Sequence, residues 1–149
     1  MMSEQSFELQ ATWTGGLDGT GRIQAAKLQT AISVPTEFDG PGTGTNPEEM
    51  LLGAAATCYI ITLGAMLQRE GIQSLTLHSH IYVESRPTMK VKSILHCPLI
   101  CVPSTTVPEK LDKLYQAALR AEKTCMISKA LRGNVDVRVQ PEIRLMEVM

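Results

Sequence analysis

The chain has 149 residues, 44% of them hydrophobic and 19% charged, which fits one globular domain with a sizeable core and excludes disordered and fibrous classes. A net charge of -1 and a pI near 6.3, without a cluster of Lys or Arg, leave no electrostatic footprint for nucleic acid or an anionic membrane, so the expected partner is a small molecule. The opening MMSEQSFELQ has neither a basic start nor an apolar signal core, so the four cysteines are expected to be reduced at rest, in a cytoplasmic protein.

From Phe7 to Thr14, Phe7, Leu9, Ala11 and Trp13 alternate with polar residues, the pattern of a strand with one wet face. Gly15, Gly16, Asp18, Gly19 and Gly21 form a turn, and Arg22 to Val34 returns as a strand whose apolar parity changes near Ala25 and Ala26, read as a bulge or bend. The glycine-rich turn precedes a strand and lacks the helix N-terminus of a phosphate loop. Pro35 to Thr45 is turn chemistry throughout.

Pro47 to Gly71 reads as a helix with both ends written out: Asn46 as cap, Pro47 at the first position, Glu48 and Glu49 at the positive end of the dipole, and Gly71 as the stop. No charged residue lies between Glu49 and Gln68, so the helix is expected in the core, covered on all sides, with Cys58 near its midpoint. A membrane span is the competing reading, disfavoured because much of the run is Ala, Gly and Thr rather than the ~20 strongly apolar residues a bilayer requires.

Leu75, Leu77, Ile81 and Val83 then share one strand face, with Thr76, His78, His80, Tyr82 and Glu84 on the other, and a hairpin through Arg86 and Pro87 leads to a strand over Met89 to Val102. There Met89, Val91, Leu95, Cys97, Leu99 and Cys101 share one parity, and Pro98 is expected at an edge or bulge. Thr106-Val107-Pro108-Glu109 matches a capping box for a second helix with Leu111, Leu114, Tyr115 and Ala118 inside, ending around Lys123 to Leu131, where Cys125 falls. Val135, Val137, Val139, Ile143 and Leu145 make a last strand. This order predicts an α+β fold with mostly antiparallel sheet in a single domain over residues 1–149.

Cys58 and Cys125 are 67 residues apart, and spacing leaves open whether they meet or are two buried, inert thiols. Glu48 lies ~15 Å along the helix from Cys58, too far to touch it within one chain. If that carboxylate serves the thiol, a second chain must supply it; the alternative is an acid that only complements the helix dipole. His78, His80, His96, Cys97 and Cys101 match no usual zinc spacing, and Cys97 and Cys101 are ~13 Å apart along a strand, so no metal is expected and both are expected to be core cysteines.

The segment GTGTNPEEMLLGAAATCYIITL resembles the signature of the OsmC/Ohr family of thiol peroxidases, and TCMISKALRGNVDV resembles that family's second cysteine block. The resemblance implies an OsmC-like fold in an intertwined homodimer, with Cys58 as peroxidatic thiol, Cys125 as resolving thiol and Glu48 as the carboxylate that orients an arginine. It further implies a small organic peroxide as substrate, an external dithiol such as a lipoyl protein as reductant, and no cofactor. This chain departs from the pattern where the family arginine stands, with Leu17 in the glycine turn and Glu37 before Phe38, and it has Met126 where the family often has proline. Arg22 and Arg132 are the substitutes that can be named. Without an arginine, burial of Cys58 in mid-helix is expected to raise its pKa. The alternative to hydroperoxide reductase is a non-enzymatic dimer that binds a small apolar or thiol-reactive ligand at its interface.

Overall fold

The computed structural model describes residues 4–72 and 74–147 and contains two compact units, the first ending at Met50 and the second beginning at Leu51. In the first, β1 (Gln10–Thr14), β2 (Thr20–Gln24) and β3 (Gln29–Ile32) form an antiparallel sheet in chain order. The change of parity at Ala25 and Ala26 is therefore a turn between two strands, closed by the Ala25 amide donating to the Leu28 carbonyl. β1 is shorter than the alternation suggests: Phe7 and Leu9 precede it, and every residue of β1 is exposed in the single chain. After the short 3-10 turn Thr36–Phe38, the loop folds back on β3, where the Ser33 hydroxyl donates to the Thr43 carbonyl (2.9 Å) and accepts from the Thr43 amide (2.7 Å). Gly44 (φ 73°) lies so close to Ala31 that a Cβ there would strike the Ala31 carbonyl.

Helix α1 (Pro47–Gln68) starts as its sequence indicates, with Asn46 Oδ1 accepting from the Glu49 amide at 2.8 Å. It stops by the expected device: Gly71 takes φ 77°, and the Ile72 amide donates back to the Leu67 carbonyl. The expectation that α1 is covered on all sides is corrected for the single chain. Ala55, Tyr59, Leu63 and Leu67, one residue per turn, are buried, whereas Gly53, Ala54, Thr57, Ile61 and Ala65 are exposed, Ile61 at 65%. By length and composition α1 could cross a membrane, but its buried stripe is seated in the protein's own core.

β4 (Leu75–Glu84) and β5 (Lys90–Pro103) form the long antiparallel hairpin expected around Arg86 and Pro87. Along the other edge of β5 lie β6 (Asp136–Val139) and β7 (Glu142–Met146), both parallel to it, so the expected single last strand is two. This seam also corrects the expectation for Pro98, which sits in the middle of the central strand. His96 O accepts from the Gln140 amide, so alternate residues, Pro98 included, direct their backbone groups to that side. Pro98 thus falls where pairing passes from β6 to β7, and its missing N–H leaves no ladder bond unmade.

The inner face of β5 is the parity opposite to the one expected. Ile94, His96, Pro98, Ile100 and Val102 are buried, while Leu95, Cys97, Leu99 and Cys101 are half-buried on the other face. A bulge causes the change: Tyr82 pairs with Ser93 but Val83 with Val91, leaving Lys92 as the extra residue.

Helix α2 (Pro108–Thr124) has Val107 as its N-cap rather than Thr106, whose hydroxyl donates to the Pro103 carbonyl. Pro108 at the first helical position forces the residue before it to be extended, which makes Val107 the boundary and breaks the expected capping box. Its inner face is Leu114, Ala117, Ala118 and Ala121; Tyr115 is 41% exposed, contrary to expectation. These side chains pack on Tyr59, Leu63 and Leu67 of α1 and on Ile100 and Val102 of β5, each fully buried leucine contributing about 1.5–3 kcal/mol of transfer free energy.

A titratable polar group, His96, lies within this second unit's interior. His96 is fully buried, stacked on Tyr59 with ring centroids 4.6 Å apart and planes 8° from parallel, and its Nδ1 lies 2.7 Å from Ser79 Oγ. Burial pushes its pKa down to about 4, so the ring is neutral in the folded state and gains a proton on unfolding at any pH between that value and the ordinary 6.5. The unfolded state binds more protons in that window, so stability rises with pH through it and is flat above. Urea midpoints measured from pH 7 down to pH 4 should fall in the wild type and fall less steeply in His96→Leu; equal slopes would show that His96 does not carry the effect.

Candidate functional site

The helical run that begins with α2 does not continue through the second cysteine block. It breaks at Cys125, whose backbone is extended (φ -64°, ψ 126°) and serves as C-cap of α2 and N-cap of a short helix, α3 (Met126–Leu131). The Cys125 amide still donates to Ala121 O, while its carbonyl accepts from the Lys129 amide, so one residue closes one helix and opens the next. The break turns the first N–H groups of α3 toward α1, at the level of Cys58.

The site follows from that turn. The Cys58 and Cys125 side chains lie within hydrogen-bonding reach of each other, both thiols are free, and both belong to the packed cluster of α1, α2 and β5. Burial pushes the Cys58 thiol up. The Cys125 thiol, the amides of Ile127 and Met126 and the Thr62 hydroxyl together outweigh it, so the net direction is down. For Cys125, burial and its role as donor to Cys58 push the thiol up, against the amides of Ser128 and Ile127 and the Ser128 hydroxyl. The expectation that Cys58 rises without an arginine is thereby corrected: the Cys125 thiol, two backbone N–H groups and a hydroxyl together act where a point charge was expected. Thr62 donates to the Cys58 carbonyl at 2.8 Å, one turn along α1, which leaves its hydroxyl beside the sulfur.

The remaining candidates are dispersed. Glu48 and Cys58 stay ten residues apart on the unbroken α1, and one Glu48 carboxylate oxygen is buried with no hydrogen-bond partner among the described residues. Leu17 is 84% exposed in the β1–β2 turn, Glu37 lies in the 3-10 turn beside Thr36, and Arg22 is exposed on β2. Arg132 is paired with Glu122 at 3.2 Å rather than with a thiol. His78 faces Cys97 across the β4–β5 ladder on its outer side, whereas His96 points inward, and among the described residues no group of three or more His, Cys, Asp or Glu side chains is placed to hold a metal. Cys97 and Cys101 are half-buried on the outer face of β5 and are not core residues.

Sequence reasoning missed the amides of Met126 and Ile127, and it missed Thr62 and Ser128. The one signal was the interval Cys125 to Ser128, the spacing of an N-cap and the third residue of a helix.

Two thiols of opposite acidity, held together where two helices meet above a mixed sheet, define a dithiol protein of α+β class. The chain belongs to the OsmC-like protein family, whose sequence model matches residues 40–140. It is 40% identical over 147 residues to the uncharacterized protein YmaD of Bacillus subtilis, covering 97% of this chain and 98% of that one. It is 31% identical over 134 residues to the organic hydroperoxide resistance protein of Xanthomonas axonopodis pv. citri, covering 88% and 91%. Among solved structures it superposes on the organic hydroperoxide resistance protein OhrB of Bacillus subtilis with a TM-score of 0.63 at 25% identity, covering 91% and 98%.

The opposite shifts have a direct readout. Alkylation by iodoacetamide across pH 5 to 10 should show Cys58 reacting with a midpoint below the ordinary thiol range (~8.5) and Cys125 above it. In Cys125→Ala, which removes one donor, the Cys58 midpoint should rise; a midpoint that does not move would show that Cys125 gives Cys58 nothing.

Proposed function

We propose that the chain is a single OsmC-like domain acting as a thiol-dependent peroxidase that reduces organic hydroperoxides. The observation that carries this reading is the meeting of Cys58 and Cys125, the first held toward thiolate and the second toward thiol. In the proposed cycle the Cys58 thiolate attacks the peroxide oxygen, the O–O bond breaks, and an alcohol leaves with a proton while Cys58 becomes a sulfenic acid. Cys125 then condenses with it, its thiol proton and the sulfenic hydroxyl leaving as water, and an external dithiol such as a lipoyl group reduces the resulting disulfide.

The preference for bulky organic peroxides rests on the apolar residues around Cys58, with Tyr59, Leu63 and Ala121 in the same cluster. The name carried by the Xanthomonas relative, organic hydroperoxide resistance protein, points the same way.

The same reading takes the protein as a cytoplasmic homodimer. An exposed face of Gly53, Ala54, Thr57, Ile61 and Ala65 on an uncharged stretch of helix is suited to close packing against a second copy. Glu48, ~15 Å along α1 from Cys58, would then serve the second chain's site, and its unpartnered buried oxygen agrees with a role outside its own chain.

Turnover of cumene hydroperoxide with dihydrolipoamide should be lost in Cys58→Ser, falling at least a hundredfold; equal, near-background rates for wild type and variant would remove the peroxidase and leave the ligand-binding dimer. Separately, Ile61→Glu should convert a dimer into a monomer in sedimentation velocity at micromolar concentration. A wild type that sediments as a monomer would sink the assembly.

A further inference from the structure

The buried hydroxyl of Ser128 has no assigned role, and the peroxide-reducing half of the proposed cycle does not use it. Ser128 is 1% exposed, and among the described residues its Oγ has no hydrogen-bond partner in the reduced protein. Leaving such a group unmade inside a protein is costly, so its retention needs a reason. It stands at the third position of α3, and Cys125 is the N-cap, the spacing at which a capping side chain meets the first turn. A neutral thiol is a poor acceptor, and α3 has no side-chain cap bond at rest. A thiolate on Cys125 would be a charged acceptor directly beside that hydroxyl and the Ser128 amide.

Accessibility says when that thiolate forms. In the Cys58–Cys125 disulfide an external thiolate has two sulfurs to attack, and Cys125 is 0% exposed while Cys58 is partly open. Attack therefore falls on Cys58 Sγ. The S–S bond breaks, the reductant sulfur is joined to Cys58, and the electron pair leaves on Cys125 Sγ. The second thiol of the dithiol then displaces Cys58 as thiolate, closing a cyclic disulfide, and Cys125 takes up a proton. The rate of the first step depends on how well the leaving sulfur carries its charge, and burial opposes that charge.

We propose that Ser128 is the leaving-group stabiliser of the reductive half-reaction, its hydroxyl held unpartnered in the resting protein so that it can donate to the Cys125 thiolate released when a dithiol opens the Cys58–Cys125 disulfide. This rests on the proposed disulfide cycle but not on peroxide as the oxidant. It also makes the direction of attack a property of the fold: Cys58 becomes the sulfur that bears the mixed disulfide.

The experiment forms the disulfide with diamide, so that peroxidase activity is not required, and follows reduction by dithiothreitol at pH 7 in rapid-quench samples alkylated and mapped by mass. Ser128→Ala should be reduced about tenfold more slowly than wild type, the order of one hydrogen bond to a charged group. The reduced protein should melt no lower than wild type, because an unsatisfied buried hydroxyl has been removed. Ser128→Thr, which keeps the hydroxyl, should be reduced at the wild-type rate. A Ser128→Ala rate within twofold of wild type, an alanine-like rate in Ser128→Thr, or a marked fall in melting temperature for Ser128→Ala would overturn the proposal. So would a mixed disulfide trapped on Cys125, or a wild type in which diamide forms no Cys58–Cys125 bridge. Loss of peroxide turnover with these reduction results intact would count against the peroxidase alone.

Discussion

The site depends on one backbone event, the extended conformation of Cys125 between α2 and α3. Had the helix run on, the amides of Met126 and Ile127 would have been consumed in the ladder of bonds to residues four positions back, and neither would act on Cys58. By ending one helix and starting another at the cysteine itself, the chain frees those donors and aims them at a sulfur carried by a different helix. The same residue supplies the second thiol, so donor array and thiol partner arrive together.

This arrangement bears on the missing family arginine. An arginine beside a thiol acts as a charge on a long side chain, at a cost in rotamer entropy and desolvation. Backbone amides at a helix start are already fixed by the fold and carry no such cost when the thiolate forms. The groups that lower Cys58 are a thiol, two amides and a hydroxyl, with no cation among them. The arginine candidate named in the second unit, Arg132, is paired with Glu122. A site built on donors rather than on a charge is less sensitive to salt, because its donors are short-range and fixed.

The helix that carries Cys58 serves two surfaces. One stripe, Ala55, Tyr59, Leu63 and Leu67, is locked into the core with the stacked His96 beneath it, which holds the helix in register against β5. The other is a run of small and apolar residues left open in the single chain. Packing within the chain accounts for the absence of charge on one side of α1; on the other side the uncharged residues form an exposed surface in the single chain.

Much of this was legible in the residues. Asn46 and Gly71 mark the ends of α1 because caps are local chemistry, a side-chain oxygen near an amide or a left-handed residue after the last turn, and local chemistry is written in adjacent letters. The two cysteine blocks and the α+β class were readable for the same reason. The inner face of β5 was not: both of its parities are apolar, so pattern alone cannot choose, and the choice was made by a bulge at Lys92 that only the pairing with β4 reveals. Pro98 in a central strand makes sense only beside the seam between β6 and β7, which lies more than thirty residues away in the chain. The acidity of Cys58 was likewise beyond reach, because it depends on donors 68 and 69 positions further along and on the direction in which a six-residue helix points them. Sequence determined which groups exist and where α1 starts and stops; tertiary structure determined where α2 gives way to α3 and which groups meet, because hydrogen bonds and burial act through distances that spacing along a chain does not encode.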